Sequence, residues 1–333
     1  MRICTFIITL LFSAFIATAQ DTFSIVAVDT ITGETGSAGA SCIDNTAIAG
    51  GAKIISDILP GRGAIHTQSY WLSANQVNAH NRMLAGDSPQ QIIDWLVAND
   101  AQNLPGRRQY GIVDFDNEGQ ARSAAFTGQQ SMDWKGHKTG SNYAIQGNIL
   151  LNAGILDSIE ARFLRTEGSL SDKLMAALQG ANVPGADSRC LSEGVSSLSA
   201  FIRMARTNDN PDTLFLDLNV PQTPYGVEPI DSLQQLYDNW KMITSLLDHS
   251  DTKNTNWHIF PNPSKGVSTI DLSEMKVKIA TISIYNQKGE LLKVLKNPLE
   301  MQKLELETTG KGLYYVVLSG EQSVRFIKKL IIN

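Results

Sequence analysis

A few polar residues stand where their types could do chemistry. Asp187-Ser188-Arg189 sets a carboxylate two places from a guanidinium. Such a pair either orients its own loop or leaves the guanidinium to receive a substrate carboxylate. Asn148 follows Gly147 at the end of a strand-like run, where its amide could donate to an oxyanion or close a strand-end hydrogen bond. His137 sits among Lys135, Gly136 and Lys138, on an expected loop, as a general base or a solvated surface histidine. Cys42 and Cys190 are the two cysteines left once Cys4, in an apolar N-terminal run, is set aside. In an oxidising compartment they form a disulfide; the alternative is a pair of buried thiols.

Other chemistry is excluded by spacing. The five histidines, at 66, 80, 137, 249 and 258, make no HxxxH or HxH, and neither late cysteine has a nearby histidine. A zinc site is not expected. Asp114 to Gly119 (DFDNEG) lacks the later Glu of a calcium loop and reads as a hairpin turn. There is no GxGxxG and no phosphate-cradling glycine loop, so no nucleotide and no other cofactor is expected.

The elements that must position these residues follow from periodicity. Thr22–Asp29 reads as a strand, with Ser37–Cys42 returning after a Gly-containing turn. The small side chains of that second strand would let another element pack closely. Ala47–Ile55 and Gly63–Tyr70 read as two further strands, giving an opening run of four. Two helices follow, the first capped by Ser73, the second started by Ser88-Pro89 with Ile92, Ile93, Leu96 and Val97 on one face. Tyr110–Asp114 and Ala121–Phe126 form a hairpin, and Tyr143–Gly147 is another strand. Helices over 153–180, strands over 197–205 and 213–220, and an amphipathic helix over 231–247 complete an α+β layered domain.

The ends of the chain read differently. Arg2, the apolar run Phe6–Ile16 and Ala17-Thr18-Ala19 describe a signal peptide over 1–19, leaving Gln20 first. No other apolar stretch reaches membrane length, so no transmembrane segment is expected. The domain over 20–248 gives way to a polar linker, 249–256. Residues 257–333 then show only short strands in hairpins, a small β-sandwich. The net charge of −5 is split: residues 254–333 carry 11 Lys+Arg against 7 Asp+Glu, and the rest is acidic. An acidic main domain argues against nucleic acid as a partner. The spacing leaves the oligomeric state open.

The C-terminal segment resembles the sorting domains of the type IX secretion system. The resemblance is carried by Phe260-Pro261-Asn262-Pro263, by Ile284 to Gly289 (IYNQKG), by Gly312 to Val316 (GLYYV) and by the closing Lys328-Lys329-Leu330-Ile331. It implies that the type IX machinery is the partner of this segment. The destination would then be the cell surface or the exterior, reached through the periplasm.

The main domain resembles domain-of-unknown-function family 1028, of the N-terminal-nucleophile (Ntn) hydrolase-like fold group. The motifs are Thr22 to Ala27 (TFSIVA), Thr67 to Tyr70 (TQSY), Gly111 to Asp114 (GIVD), Ala125 to Gly128 (AFTG), Trp134 to His137 (WKGH) and Tyr143 to Asn148 (YAIQGN). The resemblance implies an αββα sandwich whose reactive residue opens the first strand, the place Thr22 holds. In such enzymes the first residue of the mature chain attacks an acyl carbon and its α-amine is the base. Here Gln20 and Asp21 precede Thr22, so its amine is freed only by trimming; otherwise Thr22 merely begins a strand. Lys53, 31 residues on, has a spacing similar to the activating lysine of proteasome-like members, or is a surface lysine. The resemblance thus implies an exported amidohydrolase acting on a peptide, acylated small molecule or cell-wall fragment. The alternative is a non-catalytic binding module that keeps the fold.

Overall fold

The computed structural model describes residues 22–249, 256–306, 310–320 and 325–333. The signal-peptide reading, and nearly all of the linker reading, lie outside the described residues.

Six strands make the first sheet: β1 Thr22–Val28, β2 Thr35–Ser41, β7 Gly136–Thr139, β8 Tyr143–Gly147, β9 Ser199–Ala205 and β10 Leu216–Val220. Their order is β10-β9-β2-β1-β8-β7, with every described pairing antiparallel. The second sheet runs β3 Ser56–Leu59, β4 Gly63–Gln68, β5 Gln109–Phe115 and β6 Ala121–Thr127 in simple sequence order.

The two sheets face each other because both sides of β1 are apolar. Phe23, Ile25 and Ala27 join a core with α3 Gly154–Arg165, α4 Leu170–Gly180 and the first part of α5 Pro229–His249. Val26 and Val28 point the other way, into a smaller core with Ile58, Ala64 and Val113 of the second sheet. That alternation is the pleat of the strand. The far side of the second sheet buries Ile65, Tyr110 and Ile112 under α1 Ser73–Leu84 and α2 Pro89–Ala98, through Met83, Ile92 and Leu96. The result is a helix–sheet–sheet–helix stack. Each of the fully buried Ile or Leu side chains contributes roughly 1.5–3 kcal/mol.

The small residues of β2 have the expected consequence. A Cβ on Gly36 would come within 2.5 Å of Leu174, so α4 lies directly on the strand. Ser88 caps α2 in a full capping box with Gln91, as its sequence position suggests. At α1 the cap is Leu72, and Ser73 is already the first helical residue.

Two expectations are corrected. The segment 47–55 is not a strand: it turns and forms a short 3-10 helix, Gly51–Ile55. Gly50 and Gly51 take φ of 87° and 61°, and a Cβ on Gly51 would lie 2.7 Å from Ser199. Only glycine tolerates that approach. In consequence the opening four strands are not one run. They divide between the sheets, and the segment carrying Lys53 is the crossover.

The C-terminal part contains β11 His258–Phe260, β12 Val267–Asp271, β13 Ile279–Asn286, β14 Leu291–Lys296, β15 Met301–Glu305, β16 Gly312–Gly320 and β17 Arg325–Ile332. They form sheets β11-β12-β15 and β14-β13-β16-β17 around Trp257, Ile282, Leu304, Val316 and Leu330. The two expected hairpins are present, at β13/β14 and β16/β17. This all-β part also packs on α5: Ile243 is buried against Tyr285, Val317 and Ile327.

Candidate functional site

The first residue of β1 defines the site. Thr22 pairs with Ser41 on one side, while Phe23 pairs with Gly147 on the other, so Asn148 stands beside Thr22. The Asn148 backbone N–H donates to the Thr22 carbonyl at 3.2 Å. Thr22 is 1% exposed, and its Oγ1 has no hydrogen-bond partner.

Behind Thr22 lies a buried amide network between the sheets. Gln109, at the start of β5, is its hub. Its Nε2 donates to the carbonyls of Gly136 and Gly147 and to Thr127 Oγ1, each at 2.9 Å. Its Oε1 accepts from Gln68 Nε2 at 2.7 Å and Asn148 Nδ2 at 2.9 Å. Gln68 Nε2 also donates to the Thr22 carbonyl at 3.1 Å, and its Oε1 accepts from Ser24 Oγ at 2.6 Å. Gln146 Nε2 donates onward to Ser24 Oγ at 2.7 Å and to His66 Nδ1 at 3.2 Å. His66 is fully buried, and desolvation, with a smaller push from Arg203, lowers its pKa to about 3. It is a neutral imidazole at pH 7.

Strained backbone collects at this end of the sandwich. Ser69, Tyr70 and Ile149 all adopt positive φ, at 56°, 53° and 54°. For the β-branched Ile149 that conformation is an outlier, and such strain clusters at functional sites. Ser69 and Tyr70 follow Gln68, and Arg108 holds them by donating to the Tyr70 carbonyl. Arg108 in turn is anchored by Asp100 at 2.7 Å, and both side chains are almost wholly buried. Burial opposes the Asp100 charge. Hydrogen bonds from Arg108, Asn75 and the Leu104 and Gln102 amides outweigh it and hold the carboxyl well below the usual carboxylate range.

The residues singled out from sequence divide sharply. Thr22 and Asn148 come together. Asp187 is near them, since Leu150 pairs with Asp187 and the Ser188 N–H donates to the Ile149 carbonyl. Its carboxylate is spent locally, on the Cys42 N–H at 2.9 Å and on Arg189 at 2.6 and 2.9 Å. The Asp187 carboxylate thus joins its own loop to the end of β2. That loop holds Cys190, which is bonded to Cys42 with Cα atoms 5.7 Å apart. His137 hydrogen-bonds Thr127 Oγ1 at 2.8 Å, one step from Gln109.

Lys53 does not reach Thr22. It pairs with Asp217 on β10 at 2.7 Å. Asp217 is in register with Arg203, then Ser37, then Val26, so it is three strands across and four residues along from Thr22. At ~4.8 Å per strand and ~3.3 Å per residue, the separation is well beyond side-chain contact. The expected activating lysine is thus corrected to a structural ion pair.

Sequence reasoning missed Gln109 and gave Gln68 and Gln146 no role. The available signal was a glutamine inside or at the end of otherwise apolar strands, a polar group that must find partners if buried. Among the described residues no cluster of His, Cys, Asp or Glu is arranged to hold a metal ion.

The fold and site define a two-sheet α+β protein with a buried hydroxyl at the end of its first strand, followed by an all-β region. The chain belongs to the family of unknown function DUF1028, whose family model matches residues 22–232. A second model, the secretion system C-terminal sorting domain, matches residues 258–333. That domain directs the chain through type IX secretion to the cell surface or the extracellular space. Among the described residues no helix is long and apolar enough to cross a membrane. The chain is similar to a crystal structure of a DUF1028-family protein from Silicibacter pomeroyi. The TM-score is 0.52 at 23% identity, over 66% of this chain and 88% of that one. None of the curated proteins matches the chain.

Proposed function

We propose that the chain is an exported amidohydrolase of the Ntn type, with Thr22 as its nucleophile. One observation carries this reading. The Thr22 hydroxyl is buried and has no partner, at the end of the strand whose Ser24 joins the buried amide network. A hydroxyl fixed in a rigid strand and kept from water is suited to attack.

The chemistry requires the chain to begin at Thr22. Oγ1 then adds to the carbonyl carbon of a substrate amide as its proton passes to the Thr22 α-amine. The C–N bond breaks and the proton goes to the leaving nitrogen. Water cleaves the resulting threonyl ester, releasing a carboxylic acid. The α-amine is the only base this reading offers, because Lys53 is held by Asp217. The substrate is an amide of a peptide, an acylated small molecule or a cell-wall fragment.

The position of Lys53 also favours a second reading, a binding module that keeps the fold without the reaction. N-terminal sequencing of the exported protein separates the two. Thr22 as first residue, with hydrolysis lost in Thr22→Ala, supports the enzyme. Gln20 as first residue, with no hydrolysis of any amide panel, supports the module.

A further inference from the structure

Side-chain amides are ambiguous until something fixes which end is nitrogen. Here the backbone fixes it. The carbonyls of Gly136 and Gly147 can only accept, so the end of Gln109 that faces both must be Nε2. Its Oε1 therefore faces Gln68 and Asn148, and each must present nitrogen to it. The Thr22 carbonyl, also only an acceptor, demands the same of Gln68 from a second direction. Asn148 is left with Oδ1 as its unengaged atom, within a fully buried side chain.

Asn148 therefore offers more than the donor read from the sequence. Its Oδ1 accepts hydrogen bonds and suits an N–H donor, while a donor role toward an oxyanion falls to the second N–H of Nδ2, beside the one given to Gln109. In an antiparallel pair, the N–H and C=O of one residue project to the same neighbouring strand. The Thr22 carbonyl accepts from the Asn148 N–H, so the Thr22 nitrogen also stands on the Asn148 side.

We infer that Asn148 Oδ1 is the acceptor for the α-amine of Thr22 on a chain that begins there, and that Gln109 is the positioning residue that turns Asn148 that way. The inference rests on the nucleophile reading of Thr22. Its consequence is specific: Asn148 stabilises the ammonium formed when the amine takes the hydroxyl proton. Among the described residues, the charged groups named around this end have partners. Asp187 holds Arg189, and Arg108 holds Asp100, while His137 bonds Thr127.

The test uses the full chain, cut by design to begin at Thr22 and labelled with 15N-threonine, so that the α-amine titration is read by NMR without any substrate. Asn148→Leu is expected to lower the midpoint by about one pH unit, the worth of one hydrogen bond to a charged group. Asn148→Asp is expected to raise it, and Gln109→Leu to lower it like Asn148→Leu. A midpoint unchanged in folded Asn148→Leu overturns the inference. Should the Gln109 variant fail to fold, the unsubstituted chain decides. The Asn148 and Gln109 carboxamide protons are expected to resist exchange, and free exchange of the Asn148 protons overturns the inference. Absence of hydrolysis in the trimmed wild type would sink the nucleophile reading while leaving the titration result standing. Intact hydrolysis with an unmoved midpoint would sink only the role of Asn148.

Discussion

Thr22 costs the fold stability, because its buried hydroxyl has no hydrogen-bond partner. An unsatisfied buried polar group is destabilising by about 1–3 kcal/mol. Thr22→Val should therefore raise stability by about 1 kcal/mol in urea denaturation, while abolishing any amide hydrolysis by the chain. A loss of stability would mean that the hydroxyl has a partner after all. His66 gives a pH dependence with a definite sign. Its folded pKa, about 3, lies below its unfolded value of 6.5. Between those values the unfolded chain binds the extra proton, so stability is fully present above pH 6.5 and falls as pH drops toward 3. Urea midpoints from pH 6 to 4 should show wild type losing about 1.4 kcal/mol per pH unit more than His66→Gln. Equal slopes would show that His66 titrates normally. Arg108→Met should cost about 3–5 kcal/mol, because Asp100 would be left charged and almost wholly buried. A thermal melt measures it.

At the scale of elements, the segment between α4 and β9 is tied to the end of β2 by a covalent bond and a buried carboxylate. The Cys42–Cys190 disulfide spans 148 residues, and Asp187 accepts from the Cys42 N–H beside it. Closing so long a loop restricts the unfolded chain by up to about 5 kcal/mol. Replacing both cysteines by serine should lower stability by about 3–5 kcal/mol. Alkylation of the native exported protein should find no free thiol. The same tie holds Ile149 in its strained conformation next to Asn148, so the double variant should also loosen the Thr22 end. Exchange of the Asn148 amide reads that effect.

In the whole molecule, α5 joins the two parts. Its first half packs Ile230, Leu233 and Tyr237 on the six-stranded sheet. Its second half lies outside the DUF1028 match and turns Ile243, Met242, Leu246 and Leu247 to the all-β part. Asn239 Nδ2 donates to the Gly289 carbonyl at 3.1 Å, and a Cβ on Gly289 would meet the Leu236 carbonyl at 2.9 Å. The sorting domain is therefore seated on the helix as well as tethered to it. Deleting residues 254–333 should leave the two-sheet part folded but retained in the periplasm. The uncovered α5 face should promote self-association, seen by analytical ultracentrifugation. Export of the truncated chain, or a strictly monomeric product, would contradict these expectations in turn.

The sequence alone determined the strands and helices whose apolar residues repeat at the period of the element. It also determined the all-β tail, the type IX destination, and the nearness of Thr22 to the start of β1. These depend on local pattern and on motif order, which survive without knowledge of the fold. Tertiary structure decided what depends on pairing across the chain. Gly50 and Gly51 turned an expected strand into a crossover, because only a close approach to Ser199 made the glycines necessary. That crossover placed Lys53 against Asp217 and away from Thr22. The direction of the Asn148 amide was settled by Gln109, 39 residues earlier, answering to two backbone carbonyls on other strands. A hydrogen-bond orientation of that kind is a property of the assembled sheets, where most buried donors are matched to acceptors on other strands, and no spacing along the chain encodes it.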